Sequence, residues 1–172
     1  MKRMQIVKAC FGTALGVLVM AAGANTAAAA CSDQAASLIK KLEGSWRGNG
    51  TVKPIGGAQE RLSCRVRYQG SGAKVSQNIS CAGSDYRFEA NANITCNDDS
   101  VSGSWSESVA NNTGNASGKI SGGERMNIEV TGPNFSGRIA VQVSGPRHTL
   151  AITQFDPGAG RHVPIASVSL TK

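Results

Sequence analysis

Few side chains in this sequence could act as catalytic or metal-binding groups, and their spacing does not indicate a catalytic site. The chain has only two histidines, His148 and His162, and it lacks a Gly-x-Ser-x-Gly motif, a phosphate-binding glycine loop and a metal-type histidine pair. His148, Asp156 and one of many serines can be drawn as a triad, but with so many serines the grouping carries little information. Asp98 and Asp99 fall in a turn, where aspartate caps backbone groups. We therefore expect no catalytic residue, no metal site, no cofactor and no enzymatic activity.

Four polar residues stand out because the strand pattern assigns them to the interior: Gln77, Glu107, His148 and Gln154. A buried glutamate is costly unless it is paired. Polar groups near the two tryptophans could orient a ligand inside a mostly apolar cavity. The alternative interpretation is that these strand ends lie at a solvated edge of the fold, or that the phase slips there. The candidate ligand-binding residues are Trp46, Gln77, Trp105, Glu107 and His148.

The elements that would position these residues are one short helix and many short strands. Ser32 or Asp33 can cap the helix, apolar residues from Ala35 to Leu42 give it one apolar face, and Gly44 ends it. The remaining chain alternates with period two and is divided by turn residues into ten candidate strands. These lie near residues 45–53, 60–69, 74–81, 86–96, 101–109, 115–121, 125–131, 135–144, 148–155 and 162–171. The spacing favours an all-β fold, an antiparallel up-and-down β-barrel of about 8–10 strands, with a β-sandwich as the alternative.

The alternation also predicts which side chains face the interior. The inward positions include Leu62, Cys64, Val66, Tyr68, Phe135, Ile139, Val141 and Val143. The outward positions between them include Arg61, Arg65, Arg67, Arg138 and Gln142. Many other inward positions hold glycine or alanine. Small residues there leave room for a ligand, or they let strands and sheets pack closely without a cavity.

Cysteine spacing tests the strand register. Four of the five cysteines lie beyond residue 30, and an even number in an oxidising compartment favours two disulfides over a metal site. A two-residue type II′ turn at Gly72-Ala73 would place Val66 opposite Ile79 and Cys64 opposite Cys81. A register shifted by one residue would mix the two faces of the sheet. The sequence therefore predicts a Cys64–Cys81 disulfide across adjacent strands.

The second disulfide follows from the next hairpin. A turn at Gly83-Ser84 would place Cys96 near Ser71, at the opposite end of the sheet. Cys31, just before the helix, is then its natural partner. A Cys31–Cys96 disulfide would pin the helix over one end of the barrel, and each bridge could add about 2–4 kcal/mol of stability.

A Gly-x-Trp motif opens the first strand. Gly44-Ser45-Trp46, with Gly48 and Gly50, follows the predicted helix directly. This arrangement resembles the start of calycin-type barrels, which include lipocalins, fatty-acid-binding proteins, avidins and nitrobindin-like proteins. The resemblance implies a barrel in which Trp46 plugs one end by covering apolar area. A haem role, which the nitrobindin-like comparison suggests, would need a histidine inside the barrel; His148 alone has the right phase, and we expect no haem.

A second resemblance rests on four short segments. Residues 44–50, Glu60-Arg61 with Cys64-Arg65, Tyr86-Arg87-Phe88 and residues 102–107 resemble a set of uncharacterised exported proteins of alpha-proteobacteria. That resemblance implies export and no particular activity.

The first 30 residues predict export. Lys2, Arg3 and Lys8 precede an apolar stretch at 9–24, and residues 27–30 are all alanine. The stretch is shorter than the ~20 apolar residues of a spanning helix. We therefore predict a signal peptide at 1–30 and a single β-barrel domain at 31–172. A lipoprotein anchored through Cys31 is the minority alternative, because Ala28 stands where a bulky aliphatic residue is usual.

Net charge and hydropathy limit the kinds of partner that the protein is expected to bind. Cleavage removes three of the 18 basic residues and no acidic residue, which lowers the net charge from +7 to +4. No aromatic-interleaved Lys/Arg cluster is present, so we expect no nucleic acid partner, and no later segment is apolar enough for a membrane span. We expect a periplasmic or secreted barrel that binds a small apolar or amphipathic ligand. The alternatives are a protein-binding module such as a protease inhibitor, acting on an envelope protein partner, and a structural envelope protein without a ligand.

Overall fold

Alternation with period two becomes ten antiparallel strands in the computed structural model, which describes residues 30–133 and 135–172. The elements are α1 (Asp33–Leu42), β1 (Gly44–Val52), β2 (Glu60–Ser71), β3 (Lys74–Ala82), β4 (Arg87–Asn97), β5 (Ser100–Glu107), β6 (Asn112–Ser121), β7 (Arg125–Gly132), β8 (Phe135–Ser144), β9 (Arg147–Asp156) and β10 (Arg161–Thr171). The predicted signal peptide, 1–30, lies outside the described residues apart from Ala30, so the boundary at 30 stays a prediction.

The sheet closes on itself. Each strand pairs with its neighbours in sequence, and β1 also pairs with β10, for example Gly48 with Leu170. The predicted barrel is confirmed, and the sandwich alternative is wrong because one continuous sheet has no second sheet to pack against. The strand bounds agree with the prediction to within three residues, the largest difference being the earlier start of β6 at Asn112, which pairs with Glu107.

An up-and-down barrel gathers alternate connections at the same end. We call the end with α1 and the turns after β2, β4, β6 and β8 the closed end. The end with the connections after β1, β3, β5, β7 and β9 is the open end. In the part of the chain that the structure describes, no helix is both long enough and apolar enough to cross a membrane.

Helix α1 is docked across the closed end by both of its faces. The Ser32 side chain caps it by accepting a hydrogen bond from the Ala35 amide at 3.2 Å, which selects Ser32 of the two predicted caps. Ala35, Leu38, Ile39 and Leu42 are buried towards the barrel, as predicted, whereas Ala36, which the apolar pattern also included, is exposed. On the other face, the Lys41 ammonium donates to the Gly123 carbonyl at 2.9 Å. Gly44, at φ 109°, lets the chain turn from the helix into β1.

The predicted strand faces are confirmed. Leu62, Cys64, Val66 and Tyr68 alternate as buried residues along β2, while the arginines between them are exposed. Cys64 and Cys81 are register partners, and so are Val66 and Ile79, because Gly72 takes the positive φ that the predicted two-residue turn requires. The Cα atoms of Cys64 and Cys81 lie 4.1 Å apart and the two sulfurs are bonded, as predicted.

The β3–β4 hairpin corrects one prediction. Its turn spans residues 83–86 rather than Gly83-Ser84 alone, because the Gly83 amide donates to the Tyr86 carbonyl and Ala82 pairs with Arg87. Cys96 therefore lies beside Ala73 rather than near Ser71, a shift of two residues. A shift of two preserves the face and the end of the barrel. The predicted Cys31–Cys96 pair is thus still formed, with Cα atoms 5.3 Å apart, and it ties the segment before α1 to β4.

Glycines on the inward face allow the backbones of neighbouring strands to approach each other closely. A Cβ at Gly48 would approach Leu170 Cα to 2.9 Å, and one at Gly103 would approach Ile94 Cα to 2.7 Å. Real side chains are not tolerated at such distances, so these glycines let neighbouring strands cross closely inside a strongly curved sheet. Of the two interpretations of the small inward residues, these two glycines therefore support close backbone approach.

Candidate ligand-binding site

The barrel interior holds a cavity of about 500 Å³. All ten strands and α1 contribute to its wall. Leu38, Ile39 and Leu42 of the helix form its floor at the closed end, and aliphatic side chains from the strands form most of its sides. The inward alanines Ala90 and Ala116 leave space that a larger residue would occupy. The interior is therefore a concave, mostly apolar site that opens at one end.

Glu107 lies at the open end and remains in the inward phase. Its side chain lines the cavity and the residue is only 6% exposed. The carboxylate accepts hydrogen bonds from the amides of Val109 and Ala110, both at 2.7 Å. These bonds compensate the burial of the charge and hold the β5–β6 turn. Glu107 therefore faces the interior, as the strand pattern predicted, and its low exposure does not fit the alternative of a solvated edge.

Trp105 lies two residues before Glu107 on the same inward face. Its ring packs edge-on against Phe135 with centroids 5.7 Å apart. Its indole nitrogen donates to the Thr131 carbonyl at 3.3 Å. The ring thus forms part of the upper wall of the cavity. Gln154, the fourth inward polar residue, also lines the cavity, near the end of β9 at the open end.

Tyr86 is a site residue that the candidate set did not include. The Glu60 carboxylate accepts from the Ser84 hydroxyl at 2.8 Å and from the amides of Asp85 at 2.7 Å and Tyr86 at 2.9 Å. This holds the β3–β4 turn and places the half-buried Tyr86 ring in the cavity wall at the open end. The hydrogen bonds, led by the one from Asp85, lower the pKa of Glu60. Burial, and next the charge of Glu107, raise the pKa of Tyr86. The sequence contained a signal for this residue, because the period-two pattern that assigns Phe88 to the inward face assigns Tyr86 to it as well.

A polar trio lies at the closed end. The Tyr68 hydroxyl and His148 Nε2 are 2.8 Å apart, and Gln77 Nε2 donates to the same hydroxyl at 3.1 Å. His148 Nδ1 faces the Gln142 carbonyl at 3.3 Å, so Nδ1 carries the proton and Nε2 accepts from Tyr68. His148 is fully buried, and burial lowers its pKa. Burial likewise raises the pKa of Tyr68, which keeps both groups neutral.

Trp46 lies beneath this trio. Its indole nitrogen donates to the Leu42 carbonyl at 2.6 Å, and its ring meets the His148 ring edge-on with centroids 5.3 Å apart. Trp46 is 1% exposed and is not among the cavity-lining residues, and neither is His148. Together they fill the barrel below the cavity, which is the place that the calycin resemblance implies for the tryptophan.

The structure thus divides the five candidate residues into two groups. Trp105 and Glu107 lie at the open end and line the cavity. Gln77 lines the lower part of the cavity and is connected to Trp46 and His148 only through Tyr68. Tyr68 was predicted as an inward residue but not as a site residue. Their assignment as ligand-binding residues stays a prediction.

His148 does not fit a haem ligand. Both ring nitrogens of His148 have hydrogen-bond partners, and the ring lies outside the cavity wall. His162 packs against Phe155 with ring centroids 5.6 Å apart, and its buried Nδ1 has no hydrogen-bond partner among the described residues. Within residues 30–133 and 135–172, no group of three or more His, Cys, Asp or Glu side chains is arranged to hold a metal ion.

The fold and the cavity define a class: a ten-stranded up-and-down barrel, closed at one end by a helix and open to an apolar interior at the other. No protein-family model matches the sequence, and no curated protein sequence matches it either.

Solved structures with the same architecture do exist. Rv2717c from M. tuberculosis superposes with a TM-score of 0.66 at 12% identity, covering 83% of this chain and 98% of that one. The S-type phycobiliprotein lyase CPES from Guillardia theta superposes with a TM-score of 0.56 at 10% identity, covering 78% of this chain and 89% of that one. At these identities the likeness concerns the fold alone, and it is consistent with a calycin-like barrel.

Proposed function

We propose that this protein binds one small apolar or amphipathic molecule inside its barrel. The observation that carries the proposal is the cavity of about 500 Å³ inside the barrel, lined mostly by apolar side chains and bounded at the closed end by α1. Sites for small molecules and cofactors are concave, mostly apolar and about 300–1,000 Å³ in volume. The superposition with a phycobiliprotein lyase supports a barrel of this kind as a ligand-binding scaffold.

The polar groups favour an amphipathic occupant. Gln77 supplies amide groups in the lower part of the cavity, and Glu107 supplies a carboxylate near the open end. The apolar wall between them would hold the ligand body, and Trp105 would contact it near the mouth. Trp46 and His148 would act indirectly, by keeping the floor closed and Tyr68 in position.

We further propose that the protein binds its ligand without transforming it. The strongest candidate for chemistry is the Tyr68–His148 pair, but the imidazole lies behind the cavity wall with both nitrogens occupied. Burial also stabilises the neutral hydroxyl and the neutral imidazole, which opposes proton transfer between them. A ligand recovered from the protein should therefore have the same mass as the ligand supplied.

The proposal is tested with a fluorescent apolar probe, N-phenyl-1-naphthylamine. Ala116→Leu adds three carbons inside the cavity, and Ala140→Leu adds the same atoms on the exposed outer face of β8. We expect saturable binding to the wild-type protein, at least about tenfold weaker binding to Ala116→Leu, and unchanged binding to Ala140→Leu. Equal affinity of the two variants, or no saturable binding to the wild type, would contradict the proposal.

A barrel that inhibits a protease through its N-terminal segment would need the residues before Gly44 to be free. In the structure that segment is attached to the barrel, through the disulfide from Cys31 to Cys96 and a hydrogen bond from the Ser32 hydroxyl to Asp99. It is therefore part of the closed end and is not extended for insertion into another protein. We favour ligand binding for this reason.

Two cysteine pairs at disulfide distance fit an extracytoplasmic protein. We propose a periplasmic or secreted location, with cleavage before Cys31. A lipid thioether on Cys31 would consume the sulfur that bonds Cys96, so lipidation and the second disulfide exclude each other. Intact mass spectrometry of protein from a bacterial envelope should give residues 31–172 with both disulfides closed. A mass increased by a diacylglyceryl group would contradict this.

A further inference from the structure

We propose that the ligand of this barrel is an amphipathic organic cation, whose positively charged nitrogen is held between the Glu107 carboxylate and aromatic rings at the open end. The inference rests on the proposed function and names the chemical class of the ligand. Glu107 lines the cavity and is 6% exposed. Within residues 30–133 and 135–172 the single ion pair is Lys41–Glu124, at the closed end, so no basic side chain of these residues pairs with Glu107. A buried charge without a counterion is costly, and a cationic ligand would supply the counterion.

Holding a turn does not by itself explain the position of Glu107. Glu60 and Asp156 hold the turns after β3 and β9 in the same way, by accepting hydrogen bonds from turn amides. Both residues are more exposed than Glu107, and neither lines the cavity. A turn at this end is therefore held elsewhere without a charge buried in the cavity wall. The two amides that donate to Glu107 also leave each carboxylate oxygen with a second lone pair for a further partner.

Aromatic residues lie next to Glu107 on the inward face of the sheet. Trp105 precedes it by two residues on β5, and Phe88 is its diagonal neighbour on β4, because Glu107 pairs with Ala90. Diagonal neighbours on one face of a sheet are within reach of an aromatic side chain. The charge of Glu107 also contributes to the raised pKa of Tyr86, so these two side chains are close. The carboxylate is therefore placed among rings from two strands and the turn before β4.

The two ends of the cavity differ in chemistry. We call Tyr86, Phe88, Trp105 and Phe135, which line the cavity at the open end, the aromatic collar. The Trp105 and Phe135 rings meet edge-on with centroids 5.7 Å apart. The floor formed by α1 is aliphatic instead. Aromatic faces attract ammonium groups through the ring quadrupole, and the attraction is stronger at a site removed from water. The aromatic collar together with Glu107 therefore suits a cationic head, and the aliphatic part suits an alkyl chain.

The other charges in the cavity wall also favour a cation. Asp85, an exposed residue of the β3–β4 turn, lines the cavity and adds a second carboxylate at the open end. Arg87 is the one basic residue in the wall formed by the described residues, and it is exposed at an outward position of β4. An anionic head would therefore lie near two carboxylates, one of them buried, where the repulsion is less screened than in water. A cationic head would be attracted by both.

Competition against bound N-phenyl-1-naphthylamine tests the sign of the charge. The competitors share one decyl chain and differ in the head: decyltrimethylammonium, decylammonium, decanoate and neutral 1-decanol. We expect both cations to bind the wild type at least about tenfold more tightly than decanoate does. The order of the two cations shows whether a quaternary or a protonated nitrogen fits better, and either order supports the proposal. Decanoate binding as tightly as the cations would overturn it.

A matched pair of variants separates a local charge from the overall charge. Glu107→Gln removes the carboxylate from the cavity wall, and Glu89→Gln removes one from an exposed, outward position of β4 at the same end. Glu107→Gln should weaken decyltrimethylammonium by at least about tenfold and leave 1-decanol within about twofold, because the apolar contacts remain. Glu89→Gln should leave both within about twofold. Equal losses in the two variants, or equal losses of cation and alcohol in Glu107→Gln, would overturn the proposal.

Nuclear magnetic resonance locates the head in the wild-type protein and decides the question if Glu107→Gln does not fold. Decyltrimethylammonium with carbon-13 in its N-methyl groups should show nuclear Overhauser effects to the indole protons of Trp105 and an upfield shift from the aromatic collar. Contacts of the N-methyl groups with Leu38 or Leu42 would place the head at the closed end and overturn the proposal.

The two proposals fail in different ways. Saturable binding of N-phenyl-1-naphthylamine and 1-decanol without any preference for the cations would overturn the further inference and leave the proposed function standing. No saturable binding of either neutral probe to the wild type would instead refute the proposed function.

Discussion

The Tyr68 hydroxyl links Gln77 of β3 to His148 of β9 by hydrogen bonds, and its removal should lower the stability of the protein. Tyr68→Phe leaves the ring in place but deprives His148 Nε2 and Gln77 Nε2 of their shared partner, bonds of 2.8 and 3.1 Å in the structure. His148 is fully buried, so no water replaces the lost donor. An unsatisfied buried acceptor costs about 1–3 kcal/mol. Gln77 is only partly buried and can turn towards the cavity, so we expect a total loss of about 2 kcal/mol in the free energy of unfolding.

The assay is urea unfolding at pH 8 with both disulfides intact, followed by tryptophan fluorescence, since Trp46 packs against His148. The midpoint should fall while the m-value stays the same. Tyr86→Phe, a half-buried tyrosine at the open end, is the matched control and should change stability by less than about 0.5 kcal/mol. If the two variants are equally stable, or if Tyr68→Phe matches the wild type, then His148 does not depend on Tyr68 and the trio has been misinterpreted.

Three further predictions follow from the described geometry. Burial lowers the pKa of His148 below its usual 6.5, so the unfolded chain takes up a proton at a higher pH than the folded protein does. The free energy of unfolding should therefore keep its full value above pH 6.5 and decline below it. The variant His148→Gln should not show this decline. The lowered pKa of Glu60 acts separately, below its usual 4.5, so unfolding curves from pH 8 to 5 isolate the histidine. Removing the Cys31–Cys96 disulfide, which spans 65 residues, should lower the free energy of unfolding by about 1 kcal/mol more than removing Cys64–Cys81, which spans 17, because the longer loop gains more entropy when it is opened. Equal losses in urea unfolding would contradict this argument. Gly103→Ala should destabilise by about 1–3 kcal/mol because its Cβ would meet Ile94 Cα at 2.7 Å, and a neutral result in thermal unfolding would show that the strands can separate there.

Local patterns predicted most of the barrel wall. Alternation with period two depends on each residue and its nearest neighbours, so strand positions and the inward and outward faces of β2 and β8 could be derived without coordinates. The Gly72-Ala73 turn fixes its register through one positive φ, and the Cys64–Cys81 pairing follows from it. The motif Gly44-Ser45-Trp46 indicated the closed end for the same reason, since the glycine, the tryptophan and the helix are adjacent in sequence.

The errors occurred where a distant residue decides the local structure. Nothing in residues 82–87 shows that the turn has four residues; Glu60, on another strand, accepts its amides and stabilises the longer form. The prediction of the second disulfide was right because its register error was even, which preserves the side-chain face. Tyr86 shares the inward parity of Phe88, so its inward face could be derived from the sequence, but its place over the mouth depends on the distant Glu60.

The sequence by itself determined the ten strands, the side chains that face inward, both cysteine pairs and the helix that covers one end. Only the tertiary structure decided whether the inward residues fill the barrel or leave a cavity, because that depends on the balance between barrel volume and summed side-chain volume, to which every strand contributes. The same holds for Tyr68 and His148, which are 80 residues apart and meet only when β1 and β10 close the sheet. Periodicity is local, whereas enclosure and the pairing of buried polar groups are properties of the closed barrel.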